Sequence, residues 1–176
     1  MLKNKTLETL KARRSCRDFK PEQIKDEELD AILEAGTYAP TGMGKQSPIM
    51  IAVQNKDDIA ELERINAEIF GKPDSNPFYG APTVIVVLAD ADRPTAVYDG
   101  SLVMGNLLNA AASVGVDSCW IHRAKETFER EDGRTLLKKW GIEGNYIGIG
   151  NCVLGYAASS PSPALPRKTG YITKVK

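Results

Sequence analysis

Thr83-Val84-Ile85-Val86-Val87-Leu88-Ala89, residues 83–89, is a continuous apolar run rich in β-branched side chains. A run of that length and composition reads as a strand buried on both faces. The chain around it must therefore supply cover on two sides. Upstream, Thr6 to Ala12 reads as a short helix with Leu7 and Leu10 on one side. Lys25 to Ala35 reads as a second, with Asp26 as its cap, Leu29, Ile32 and Leu33 as the buried stripe, and Gly36 as the C-terminal glycine. Residues 39–48 hold two prolines and two glycines and form a loop. Ile49 to Gln54 is a strand, and Asp57 to Phe70 carries Ile59, Leu62, Ile65 and Ile69 at helical spacing. Gly71 to Pro82, with three prolines and two glycines, reads as a mobile surface loop.

Downstream, Tyr98 to Val114 is long and apolar nearly all round, with Gly105 and Ala110-Ala111-Ala112 within it. Such a helix is central or lies at a subunit interface, where small residues permit close approach. Ser118 to His122 is a short strand, Glu131 to Trp140 a helix, and Tyr146 to Leu154 a strand. The tail from Gly155 is rich in Pro and Ser and ends in a short extended piece, residues 170–173. Helices precede the first strand pair, and no steady βαβ rhythm follows. The expected fold is α+β, one domain over residues 1–176, with a sheet packed between helices rather than a doubly wound parallel sheet. No Gly-x-Gly-x-x-Gly opens a helix after a strand, and no P-loop is present; Gly148-Ile149-Gly150 lies inside a strand.

The 176 residues include 23 basic and 23 acidic side chains, a formal net charge of zero. That balance argues against a partner held by phosphate neutralisation, so no nucleic acid is expected. No apolar run approaches a bilayer span, and residues 1–10 lack a signal-peptide core, so no membrane partner and a cytoplasmic location are expected. Cys16, Cys119 and Cys152 are odd in number and widely spaced, and read as buried thiols in a reducing compartment.

Histidine occurs once, at His122. A several-histidine metal site is excluded, and any nucleophile–histidine triad would have to use that residue. The side chains are poor material for acid–base or nucleophilic catalysis, so a cofactor is expected to carry any chemistry. The strongest local feature is Arg13-Arg14-Ser15-Cys16-Arg17. Three guanidiniums and a hydroxyl at a helix end suit a dianionic phosphate, since arginine donates forked hydrogen bonds and serine a neutral one. A solvated charged surface is the competing reading. In the tail, Arg167 of Pro166-Arg167-Lys168 would close the same anion site if the tail folds back.

These blocks resemble the nitroreductase family of FMN enzymes. Arg13-Arg14-Ser15-Cys16-Arg17-Asp18-Phe19 is similar to the family's Arg-Arg-Ser-x-Arg-x-Phe. Ala39-Pro40-Thr41 through Gln46 and Pro48 resembles Ala-Pro-Ser-x-x-Asn-x-Gln-Pro, with Thr41 for serine, Gly44 for asparagine and Pro48 displaced by one. Tyr98-Asp99-Gly100 through Asn106-Leu107-Leu108, Ala110-Ala111 and Gly115 resembles the family's long helix, and Ser118-Cys119-Trp120-Ile121 follows it. Leu154-Gly155-Tyr156 and Pro166-Arg167-Lys168 look like the last strand and the flavin-contacting tail.

The resemblance implies a mixed, mainly antiparallel sheet and a homodimer whose C-terminal tail extends onto the partner, with FMN at the interface. Arg13, Arg14, Ser15 and Arg17 would hold the phosphate, ribityl chain and pyrimidine edge, and Arg167 would complete the phosphate site. Pro40, Thr41 and Gln46 would reach FMN from the other subunit, and Trp120, Ile121 and His122 would line the ring. Arg17 is the candidate stabiliser of the flavin N1–C2=O edge, and no catalytic side chain is expected. Gly44 leaves one family contact missing. Phe78 and Tyr79 are candidates for a cover over the flavin. The implied activity is hydride transfer from NAD(P)H through FMN to a nitroaromatic, quinone or activated alkene in a ping-pong cycle. A flavin-binding regulator without turnover, and a flavin-fragmenting or dehalogenating relative, are the alternatives. The residues themselves do not separate NADH from NADPH.

Overall fold

In the computed structural model, which describes residues 2–176, the run at 83–89 is the middle of a sheet with helices on both faces. In chain order the elements are helix α1 (Lys5–Ala12), helix α2 (Asp26–Thr37), a single 3-10 turn (Gly42–Gly44), strand β1 (Pro48–Val53) and helix α3 (Lys56–Ile69). Strand β2 (Thr83–Asp90), helix α4 (Ala96–Val114), strand β3 (Asp117–Ile121), helix α5 (Ala124–Glu129), helix α6 (Glu131–Lys139) and strand β4 (Tyr146–Gly155) complete them. The sheet order is β1-β2-β4-β3, every neighbouring pair antiparallel. One parallel bridge, Ser15 to Ser118, ties the segment after α1 to β3.

β2 divides its side chains between two cores. Val84, Val86 and Leu88 pack with Leu62, Ile65 and Phe128 on the face of α3, α5 and α6. Ile85 and Val87 pack with Ile32, Met104 and Leu107 on the face of α2 and α4. All five β2 side chains have zero solvent exposure. Period-two alternation vanishes from the sequence because both faces are covered.

Several local expectations change in detail. Lys25, not Asp26, is the N-cap of α2; the Glu28 carboxylate accepts from Lys25 N–H at 3.0 Å, and Asp26 sits in the first turn. Gly36 lies inside α2 rather than after it. A Cβ there would stand 2.5 Å from Met50 Sδ and 3.0 Å from Leu107 Cδ2, so its role is close packing against β1 and α4. Residues 170–173 form no strand; the chain turns at 169–170 and continues exposed, with Tyr171 and Ile172 in solvent.

Helix α5 follows β3 almost directly and was not legible in the sequence. Six residues are too few for helical periodicity to register, yet Ala124, Thr127 and Phe128 are buried. Gly148-Ile149-Gly150 is part of β4, where register shifts against Val87 and Leu88 leave Ile149 as the extra residue of a bulge. A Cβ on Gly150 would lie 2.3 Å from Trp120 Nε1, so that glycine makes room for the indole.

Across α3 and α6, Asp58 is buried and accepts from Lys139 Nζ and Trp140 Nε1–H. These partners hold its carboxyl below the usual carboxylate range, Lys139 contributing most. Among the described residues no helix is long and apolar enough to cross a membrane.

Candidate functional site

Helix α1 stops at Ala12 because Arg13 turns to extended backbone, φ −51° and ψ 132°. The next residues run alongside β3, pinned by Cys16 N–H donating to Ser118 C=O at 3.0 Å. Cys16 is buried there, Arg13, Arg14 and Ser15 are half-buried, and Arg17 is exposed. Arg14 Nη1 donates to the carbonyls of Lys11 and Arg13, both at 2.7 Å. That places a cation on the C-terminal carbonyls of α1, a favourable arrangement.

Arg13, Arg14, Ser15 and Arg17 line one open cleft of about 640 Å³, and Arg167 lines its far wall. The tail does fold back: Ser162 to Leu165 form that wall, and Arg167 curls onto its own chain, Nε–H donating to Leu165 C=O at 3.1 Å. The cleft lining contains no aspartate or glutamate. Arg13 Nη1 is buried with no hydrogen-bond partner among the described residues. By contrast, Arg64 is neutralised by Glu61 and Asp132, and Arg130 by Glu68 and Asp132. A cationic cleft with no acid of its own and one orphaned guanidinium N–H suits a dianion.

Arg17 also lines a second cavity, of about 300 Å³, with Trp120, Ile121 and His122 at the end of β3. Ile121 faces the core and is buried. Trp120 is half-buried, packs against the core on the α4 face and stands 5.9 Å from the His122 ring, centroid to centroid. Tyr79 is another wall of this cavity. Phe78 is not a cover: it is 1% exposed, sits in the core, and its N–H donates to Glu63 Oε1 at 2.9 Å. The loop before β2 is thus fastened at Phe78, with Tyr79 presented to the cavity.

Pro40, Thr41 and Gln46 lie elsewhere. Thr41 and Gln46 line a separate pocket of about 120 Å³ beside Met50 and Val103, and Pro40 is exposed. Gln46 N–H donates to Thr41 Oγ1 at 2.9 Å. The loop is latched by Asp99 of α4, 4% exposed, which accepts from Gly42 N–H at 2.9 Å, Thr95 Oγ1 at 2.9 Å and Ser47 Oγ at 3.3 Å. Sequence reasoning noted Asp99 only as part of a motif; a lone acid in an otherwise apolar helix was the available signal. Within one chain, then, the arginines, the tail and the end of β3 converge, and the 40–46 loop does not join them.

All three cysteines are buried free thiols. Burial pushes each thiol up, least offset at Cys152; for Cys119, the Arg17 and Arg13 guanidiniums and the Ser15 hydroxyl oppose it. Protonated buried thiols are weak nucleophiles, which leaves them as packing groups.

A sheet with helices on both faces and a cationic cleft against one sheet edge suits an anionic cofactor. The Nitroreductase family model matches residues 10–156, and the chain belongs to that family. It is similar to the FMN-bound crystal structure of a nitroreductase from Bacteroides fragilis, 34% identical, with 99% of this chain and 100% of that one covered and a TM-score of 0.91. A nitroreductase with bound FMN from Desulfitobacterium hafniense is 31% identical, with 99% and 100% covered and a TM-score of 0.89. A protein of Archaeoglobus fulgidus named "Putative NADH dehydrogenase/NAD(P)H nitroreductase" is 30% identical over 85% of this chain and 84% of its own length.

Proposed function

We propose that the chain is an FMN-dependent NAD(P)H oxidoreductase that reduces electron-poor small molecules. Family membership and likeness to two FMN-bound nitroreductases support the enzyme class and the cofactor. The NAD(P)H co-substrate rests on the name carried by the archaeal relative. The observation that carries the site is the acid-free cleft in which Arg13, Arg14, Arg17 and Arg167 meet, with Arg13 Nη1 unpartnered.

In this reading Arg13, Arg14 and Arg167 with Ser15 hold the phosphate of FMN. Bound there, FMN would supply hydride-transfer chemistry through N5 between NAD(P)H and an acceptor such as a nitroaromatic, quinone or activated alkene. Arg17, shared by both cavities, would face the N1–C2=O edge and stabilise negative charge there. Trp120, Ile121 and His122 would border the ring. No side chain here is asked to act as acid or base; the protein positions, orients and sets the field.

Pro40, Thr41 and Gln46 would complete the site from a second copy of the chain. Their pocket shares no lining residue with the arginine cleft, which favours that arrangement. So do the exposed apolar side chains of α4, Val97, Tyr98 and Leu102, and of the tail, Leu165, Tyr171 and Ile172. Free thiols suit a cytoplasmic setting.

Anaerobic addition of NADH or NADPH to the purified yellow protein is expected to bleach the flavin absorbance, and an acceptor should restore it. Yellow protein that resists both nucleotides would fit a non-catalytic flavin-binding role instead. Colourless protein that takes up no added FMN would refute both.

A further inference from the structure

The cavity at the end of β3 contains a basic group that the flavin reading leaves unused. We propose that Arg123 is a specificity-determining residue that binds an oxyanion on the co-substrate, the inference resting on the flavin reading of the adjoining cleft. Arg123 lines the cavity together with Arg17 and His122, and no aspartate or glutamate lines it. Its guanidinium is aimed by two contacts. Nε–H donates to Asn66 Oδ1 at 2.9 Å, and the guanidinium carbon stands 4.6 Å from the centroid of the Phe70 ring. Neither contact uses the two Nη groups, and no carboxylate among the described residues pairs with this arginine.

Asn66 is the positioning residue. It is fully buried in α3, and its Nδ2 donates to His122 C=O at 2.8 Å, so one amide fixes both the backbone before Arg123 and its side chain. The backbone at Arg123 is left-handed, φ 77°, a conformation a non-glycine L-residue adopts at some cost. Asn66 and the two hydrogen bonds from Thr127, N–H at 2.9 Å and Oγ1 at 2.7 Å, into Arg123 C=O hold it there. A buried amide, a strained backbone and an aromatic shelf together orient one guanidinium with its forked end free for an oxyanion. Lys72 Nζ also lies over the Phe70 ring, 5.2 Å from its centroid.

Two sources could supply the oxyanion: a carboxylate on the electron acceptor, or the extra phosphate that distinguishes NADPH from NADH. The test separates them. Calorimetric titration of the FMN-bearing protein with 4-nitrobenzoate and with uncharged 4-nitrobenzamide is expected to show tighter binding of the carboxylate by about tenfold. In Arg123→Ala that preference should vanish while amide binding changes by less than about twofold. If the phosphate is the source, the two nitro compounds bind alike and NADPH is preferred over NADH by about tenfold in KM, again lost in Arg123→Ala. Should the variant fold poorly, the wild-type protein decides: the preference must shrink as salt rises from about 0.05 to about 0.5 M. Equal affinity for both members of each pair in the wild type would overturn the proposal. Protein that holds FMN but never bleaches with either nucleotide refutes the oxidoreductase reading, whereas the nitrobenzoate titration still reads Arg123.

Discussion

Replacing Arg13 by alanine is expected to weaken FMN binding by about 1.5–3 kcal/mol, ten- to a hundredfold. Among the arginines of the cleft, Arg13 holds a guanidinium nitrogen that is buried and has no partner among the described residues. A buried donor without a partner is costly, and a phosphate oxygen is the acceptor that removes the cost. Arg14→Ala should also lower affinity, but less, because Arg14 Nη1 is already occupied by the Lys11 and Arg13 carbonyls. Flavin fluorescence titration measures both. FMN retained equally by wild type and Arg13→Ala would remove the phosphate role from that residue.

Asp99→Ala is expected to lower unfolding free energy by about 2–4 kcal/mol. The carboxylate is 4% exposed and accepts from three donors in two segments, Gly42 N–H, Thr95 Oγ1 and Ser47 Oγ. Its loss leaves those donors stranded and releases the loop that carries Thr41 and Gln46 from α4. Asp99→Asn keeps part of the acceptor geometry and should fall between the two. Urea denaturation followed by circular dichroism gives the difference; a loss below about 0.5 kcal/mol would mean the latch carries no weight.

How much of this was legible depended on how local each signal was. The β2 run declared itself because a strand covered on both faces needs no partner to be recognised, and the structure gives all of its central side chains zero exposure. The Arg13–Arg17 cluster was legible for the same reason, its members being neighbours in sequence. Arg167 could be proposed for that cleft only on condition that the tail returned, which it does. What the sequence concealed depends on long-range contact. Gly36 resembled a helix terminator, and its need for space arises from Met50 and Leu107, far along the chain. Helix α5 is too short for periodicity and is held by its packing on β4 and α6. Phe78 looked like a loop aromatic, since nothing local reveals that Glu63 binds its N–H. Arg123 was one basic residue among 23 until Asn66 and Phe70, both on or at the end of α3, were brought beside it.

The central claim is that a terminal dianion anchors the flavin in the arginine cleft. Comparing FMN with riboflavin, which differs only by that phosphate, tests it most directly. Equilibrium titration of the flavin-free protein should give FMN an advantage of at least about a hundredfold, the worth of two charge-assisted hydrogen bonds after screening at an open cleft. Equal affinity for the two flavins would contradict the account.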